Sequence, residues 1–213
     1  MDEDFIFRIL FISLILVFAF IRLYYARKGQ ITDKKRSAKE RWEERTKIEG
    51  KTRTIIFMAD GVFIAIAIVL YLFSPPRLFW SQLPFPSLLR WIGFGFGIAT
   101  IPFLVWIQHT LGKYWSPSLE LREDHALVTS GPYSRVRHPM YTISSLIFFA
   151  LILVSADLLI LIGFLIAIIL ALARIPKEEQ MMLDQFGEEY RIYMKKTGRL
   201  LPRLRRKVDN ENR

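Results

Sequence analysis

The chain has no cysteine and only three histidines among its 213 residues. The first absence excludes a disulfide framework and a catalytic thiol. His109, His125 and His138 lack metal-ligand spacing and have no cysteine beside them, so no zinc site is expected. Phosphate-cradling loops are missing as well. The one glycine-rich run, Gly93 to Gly97 ("GFGFG"), sits inside an apolar stretch, whereas a nucleotide loop needs a strand before it and a helix after it. Gly93 and Gly97 are one helical turn apart, which predicts close helix packing in a membrane. Neither an internal repeat nor a linker between folded halves is visible.

What is present is apolar sequence in blocks. Hydrophobic residues make up 52% of the chain, yet 23% is charged with a net charge of +10, and the apolar residues collect in runs that can be judged against the ~20 residues a membrane-crossing helix needs. Residues 5–25 form one run, with Arg8 and Arg22 near its ends where long side chains reach the interface. Residues 55–73 and 88–107 form two more. The run 141–173 is too long for one span and carries Ser155-Ala156-Asp157 at its middle, so it is read as a tight hairpin with spans at 140–155 and 157–173. The expected fold class is therefore an all-α integral membrane protein with five transmembrane helices. Residues 1–213 form a single membrane domain, with catalytic segments at 109–139 and 174–204 on the cytoplasmic side.

Lysine and arginine crowd the connection 26–54 and the C-terminal tail, while "SPPRLFWSQLPFPS" and the hairpin tip are nearly free of them. By the positive-inside rule the basic parts are cytoplasmic and the N-terminus outside. The acidic start "MDEDF" and full-length first run do not fit a cleaved signal peptide, so the segment is expected to be retained. Positive flanks satisfy topology and attract anionic lipid head groups; no aromatic-basic groove speaks for nucleic acid. The C-terminal "DNENR" is not a retrieval signal, which leaves a bacterial or archaeal plasma membrane and the endoplasmic reticulum equally open.

Polar chemistry concentrates in two places. In "GPYSRVRHPMY", Gly131 to Tyr141, a Gly-Pro turn leads to Arg137 and His138, and Pro139 stands where a helix can begin without losing a hydrogen bond. A helix N-terminus flanked by two donors attracts an anion. The plainer reading is that these basic residues mark the boundary of a span. In "RIPKEEQMMLDQFGEEYRIYM", the chain turns at Pro176 and resumes as an amphipathic helix with Met182, Phe186, Tyr190 and Tyr193 on one face. Arg174 and Glu178 stand four positions apart, either as an ion pair at the membrane surface or as a cation and an anion facing the Arg137-His138 end. The second arrangement suits a zwitterionic ligand, carboxylate to the helix end and ammonium to Glu178.

Taken in order, "LGKYWS" (Leu111 to Ser116), "HALVTSGPYSRVRHPMY" (His125 to Tyr141) and "RIPKEEQMMLDQFGEEYRIYMKKTGRLLP" (Arg174 to Pro202) resemble the isoprenylcysteine carboxyl methyltransferase family, integral membrane enzymes that use S-adenosylmethionine. Phospholipid N-methyltransferases are more distantly similar. The resemblance covers the C-terminal half. It implies a pocket between the segment before the fourth span and the C-terminal helix, converting S-adenosylmethionine to S-adenosylhomocysteine without a metal. His125, Ala126, Leu127, Val128, Tyr133, His138, Pro139, Met140 and Tyr141 would line that pocket, Glu178 would hold the cofactor, and Arg174 would contact the acceptor. Arg137 and Arg199 are added from the residues themselves as anion-stabilising members of the catalytic set.

The chemistry agrees with this inventory. An ionised carboxylate already carries the attacking lone pair and needs positioning rather than a base, whereas an amine acceptor must first lose a proton. An arginine at the acceptor favours the carboxylate. The acceptor is expected to be lipophilic, entering from the bilayer, and isoprenylcysteine-like; a phospholipid or another small lipophilic amine or thiol is the alternative. A membrane scaffold or transporter subunit is the non-enzymatic alternative. A transporter is expected to show broken spans or buried mid-span charge, and here the strongly polar residues are read as clustering at the cytoplasmic ends.

Overall fold

The computed structural model describes residues 3–29, 42–43, 46–47, 50–73, 81–112 and 127–203. Among them the order is α1 (Glu3–Gly29), α2 (Lys51–Phe73), α3 (Ser87–Leu111), a 3-10 turn (Gly131–Ser134), α4 (Pro139–Ser155), α5 (Leu158–Leu172) and α6 (Ile175–Lys196), with no strand. Among the described residues four helical stretches are long and apolar enough to cross a membrane, namely Glu3–Lys28, Lys51–Phe73, Ser87–Leu111 and Leu158–Lys196, and Pro139–Ser155 is a shorter apolar one. The protein is an all-α integral membrane protein.

Polar clamps at one end of the bundle fix the helix order. Arg90 of α3 donates through Nε to the Val154 carbonyl (3.0 Å), pairs with Asp4 of α1 (2.6 Å) and lies over the Phe7 ring at 3.9 Å. Arg8 donates to the Leu72 carbonyl of α2 at 3.3 Å. The hairpin tip meets the chain that precedes α3: Leu83 N–H donates to the Ala156 carbonyl (2.7 Å), and Ser81 Oγ to Asp157 Oδ2 (2.8 Å). Asp157 also caps α5, accepting from the Leu159 and Ile160 amides, which satisfies donors that have no intrahelical partner. This explains why Ser155-Ala156-Asp157 turns the chain inside an apolar run.

The opposite end carries the starts of α2 and α4 and the finishes of α1, α3 and α5. There Arg53 donates to the Ala173 carbonyl at 3.4 Å, and a side chain at Gly131 would strike Thr110 Oγ1 at 2.9 Å. The 3-10 turn thus sits under the last turn of α3.

Lipid tails are as apolar as leucine, so helices in a bilayer associate by close packing rather than by expelling water. The glycines serve that end. A Cβ at Gly93 would lie 2.5 Å from Leu153 Cβ of α4, and one at Gly97 would lie 2.9 Å from Leu14 Cδ1 of α1 and 3.5 Å from Ala150 Cβ. Gly163 of α5 does the same against Ile64 of α2, at 2.7 Å. The expectation that "GFGFG" is a packing surface agrees with these contacts, and Phe148 and Phe164 add a stacked pair inside the α4–α5 hairpin at 4.7 Å.

The contrast between neighbouring glycines is testable. Gly93→Ala should lower stability by about 1–3 kcal/mol through overpacking against Leu153. Gly95→Ala, where a Cβ meets nothing within 4 Å, should gain about 0.5–1 kcal/mol from helix propensity. Thermal unfolding in detergent separates the two.

Candidate functional site

The segment that enters α4 is held by backbone before any side chain acts. Gly198 N–H donates to the Arg135 carbonyl (3.0 Å), Arg137 N–H to the Gly198 carbonyl (2.9 Å), and His138 N–H to the Arg199 carbonyl (3.0 Å). Thr142 Oγ1 donates to the Leu200 carbonyl at 2.7 Å. The C-terminal "TGRL" is therefore laid along the RHP segment and across the start of α4. Gly198 permits this: a Cβ there would fall inside contact distance of the Leu201 carbonyl. Pro139 takes the first helical position with His138 as its N-cap, as the sequence predicts.

Beneath this ladder lies a buried carboxylate. Glu179, 5% exposed through its side chain, accepts from Arg137 Nε at 2.9 Å and Arg199 Nη2 at 2.5 Å, and stands 3.3 Å from His138 Nε2. Arg137 Nη1 also donates to the carbonyls of Met194 (3.1 Å) and Thr197 (2.6 Å). Burial pushes the Glu179 carboxyl up, but hydrogen bonds from Arg199 and Arg137 outweigh it and hold the group below its ordinary range. Arg137 and Arg199, expected as anion stabilisers for a ligand, thus spend these donors on Glu179 and on backbone carbonyls. The reason is the second glutamate of "KEE", to which the sequence alone assigns no partner.

Glu178 is placed differently. It is one-third exposed, its Oε2 lies 3.8 Å from His138 Nδ1, and that buried oxygen has no hydrogen-bond partner among the described residues. His138 is itself buried, and burial pulls its pKa below the ordinary value despite Glu178 and Glu179 nearby. A neutral imidazole that donates a hydrogen bond through Nε2–H to Glu179 leaves Nδ1 as an acceptor, a tautomer assigned from the partners. Two acceptors then face each other with no donor between them among the described residues. A cationic N–H group satisfies both.

Of the remaining expected residues, Tyr141 packs beside His138 and Tyr133 lies within electrostatic range of Glu178. Tyr133 is buried in the 3-10 turn, its carbonyl accepting from Tyr193 Oη at 2.6 Å. Burial raises the Tyr133 phenol above its ordinary pKa, and raises that of Tyr193 to about 12. Tyr141 sets its ring 5.7 Å from that of His138. Pro139 is buried, while Val128 and Met140 pack half-buried against the apolar core and Leu127 is half-buried. His125 and Ala126, with Lys113 to Ser116 of "LGKYWS", lie outside the described residues. Arg174 is the residue before α6, its guanidinium 6.0 Å from the ring centre of Phe57 in α2, one helical turn before Glu178.

Two features go beyond the sequence reading. The C-terminal helix is not one amphipathic rod, because Gly187 breaks it with φ 53° and ψ −122°, a conformation that only glycine adopts readily. The break lets Tyr190 and Tyr193 be buried while Met182 and Phe186 of the expected apolar face stay partly exposed. Gln108 of α3 is the second. It is wholly buried, and neither its Nε2 nor its Oε1 has a hydrogen-bond partner among the described residues. A polar residue in the last turn of an apolar span was the available signal.

The architecture defines the class: a multi-pass helical membrane protein whose polar site lies where α3, α4 and α6 meet at one end. The chain's residues 91–184 match the family model described as the isoprenylcysteine carboxyl methyltransferase (ICMT) family, a stretch that runs from α3 through Arg137, His138, Arg174, Glu178 and Glu179. It is also similar to the cobalt-zinc-cadmium resistance protein CzcN of Cupriavidus metallidurans, 30% identical over 96 residues, or 45% of this chain and 44% of that protein. The chain thus matches less than half the length of that relative.

Removing one partner of a buried ion pair strands the other. Glu179→Ala should therefore lower stability by about 3–5 kcal/mol, and Arg199→Ala, whose side chain is 51% exposed, by about 1 kcal/mol or less. Acid should act in the same direction. The stability that Glu179 contributes is present above its ordinary pKa of 4.5 and is lost as pH falls through its lower folded value. Neutral His138 adds a loss that begins below 6.5, where the unfolded chain takes up a proton first. Thermal midpoints between pH 7.5 and 4 should fall monotonically, with a flatter slope above pH 5 in His138→Gln.

Proposed function

We propose that the chain is an S-adenosylmethionine-dependent methyltransferase of the membrane that esterifies the carboxylate of a lipophilic, isoprenylcysteine-like acceptor. The observation that carries this reading is the unmet pair of acceptors, Glu178 Oε2 and His138 Nδ1, inside the segment that matches the family. The residues fit the cofactor. Its ammonium would lie between Glu178 and His138, with Leu127, Val128, Tyr133, Pro139, Met140 and Tyr141 as the wall. When bound, the group supplies a methyl carbon made electrophilic by a sulfonium.

The chain's own task is placement. Arg174, at the start of α6 and against α2, orients the acceptor carboxylate at its periphery, since a tighter grip would blunt the oxygen as nucleophile. Glu179, Arg137 and Arg199 keep His138 and Glu178 at fixed separation and do not touch the acceptor. Holding oxygen and methyl carbon in attack geometry supplies several kcal/mol of rate acceleration. No base is required for an ionised carboxylate. The excess of lysine and arginine in 26–54 and after α6 supports a cytoplasmic site with the N-terminus outside, so that a soluble cofactor meets an acceptor arriving from the bilayer.

Transfer of labelled methyl groups by the purified chain to S-farnesylcysteine and, separately, to an aminophospholipid tests the reading. Label released as methanol by mild base supports the ester. Base-stable label in the phospholipid moves the protein to amine methylation, and no transfer with no binding of S-adenosylhomocysteine rejects the enzyme. Glu178→Ala and His138→Gln should each weaken S-adenosylhomocysteine binding at least about tenfold, the loss of one charge-assisted contact. Glu188→Ala, on an exposed turn, should leave it unchanged in the same titration.

A further inference from the structure

Gln108 of α3 is 0% exposed, and both the nitrogen and the oxygen of its amide lack a hydrogen-bond partner among the described residues. Folded chains leave few buried polar groups in that state. Two threonines of the same helix close their bonds on its own backbone: Thr100 Oγ1 donates to the Gly97 carbonyl at 2.6 Å and Thr110 Oγ1 to the Trp106 carbonyl at 2.9 Å. The amide between them is what the unliganded fold leaves open.

Helix register places it. A Cβ on Gly97 would lie 3.5 Å from Ala150 Cβ, and one on Gly93 would lie 2.5 Å from Leu153 Cβ, so α3 and α4 run antiparallel with these positions facing. Eleven residues make about three turns. Gln108, eleven beyond Gly97, therefore returns to the α4-facing side and falls level with Pro139, eleven before Ala150 and next to His138. The 3-10 turn reaches the same level, since a Cβ on Gly131 would strike Thr110. Tyr133 of that turn feels the Glu178 carboxylate, which adds to burial in raising its phenol. Unmet polar atoms thus converge on the α4 entry from two helices, Glu178 from α6 and Gln108 from α3.

The two differ in what they ask of a ligand. Glu178 and His138 offer acceptors only and call for a cation, whereas an amide offers a donor and an acceptor side by side in one plane. In S-adenosylmethionine the ammonium only donates and the carboxylate only accepts. The adenine edge presents its 6-amino donor beside the N7 acceptor, the pattern a glutamine amide meets with two hydrogen bonds. Leu104 and Ile107 are buried on the same part of α3, and Leu111, Val128 and Met140 pack against their cluster, which gives the amide the apolar surround a flat ring requires. We propose that Gln108 is the residue that reads the base of the cofactor, its Oε1 accepting from the 6-amino group and its Nε2 donating to N7. The inference rests on the methyltransferase reading and deepens it.

Two analogues of S-adenosylhomocysteine each remove one half of that pattern: the inosyl form, with oxygen in place of the 6-amino group, and the 7-deaza form, with carbon in place of N7. Calorimetric titration of the purified wild-type chain should find the inosyl form bound at least about tenfold more weakly than S-adenosylhomocysteine, and the 7-deaza form at least about fivefold more weakly. Gln108→Leu should weaken S-adenosylhomocysteine itself and bring all three ligands to within about twofold of one another. Its thermal midpoint without ligand should rise, because an unmet buried amide is removed; Gln108→Met gives the same comparison in a side chain of closer shape. A wild-type chain that binds S-adenosylhomocysteine but is indifferent to both changes overturns the inference, and so does a preference that survives in the two variants. A purely structural glutamine would change affinity for the three ligands by one common factor, which also counts against it. Failure of the methyltransferase reading shows separately, as a wild-type chain that binds none of the three.

Discussion

A single buried carboxylate, that of Glu179, joins three parts of the chain that are distant in sequence. It ties α6 to the entry of α4 through Arg137 and His138, and to the C-terminal segment through Arg199. An ion pair of this kind is weak evidence for stability, because desolvation offsets much of the attraction. Its value here is geometric. With Arg137 also fastened to the carbonyls of Met194 and Thr197, the imidazole of His138 has one orientation, and its second nitrogen is turned to Glu178. The adjacent glutamates thus differ, one tied into the fold by two arginines and the other keeping a buried oxygen that no hydrogen bond meets among the described residues.

The membrane portion serves the same end by a different force. Packing of α3 on α4 through Gly93 and Gly97, and of α5 on α2 through Gly163, sets the height at which the α4 entry, the last turn of α3 and the α5–α6 junction come level. At the other end, Arg90 and Asp157 collect the carbonyls, amides and hydroxyls that the hairpin and loop would otherwise leave unmet. Hydrogen bonding inside a bilayer has no water to fall back on. The polar clamps and the glycine contacts are therefore complementary, one ordering the ends and the other the middle.

Two buried polar groups, Gln108 and Asp60, stand apart from this economy, since each carries a side-chain atom without a hydrogen-bond partner among the described residues. Folded proteins satisfy the large majority of such groups. Departures from local consistency concentrate at functional sites, and both residues lie in spans that lead toward the His138 and Arg174 level. Asp60 also departs from the expectation that strong polarity stays at the span ends. One aspartate in a run such as "FMADGVFIAIAIV" hardly lowers its mean hydropathy, which is why it is easy to pass over.

The sequence by itself determined the helical class, the apolar runs, the hairpin and the start of α4 at Pro139, because bilayer thickness and helix capping are read along the chain and need no tertiary partner. It also marked Arg137, His138, Arg174 and Glu178 as a group. Tertiary structure alone decided how they divide. Whether a glutamate is tied into the fold or left with an unmet oxygen depends on which arginines reach it from 42 positions before, as Arg137 does, and 20 after, as Arg199 does. Such distances in sequence carry no periodicity. The break at Gly187 belongs to the same category: glycine permits a positive φ, but only the docking of Tyr190 and Tyr193 beneath the site requires one.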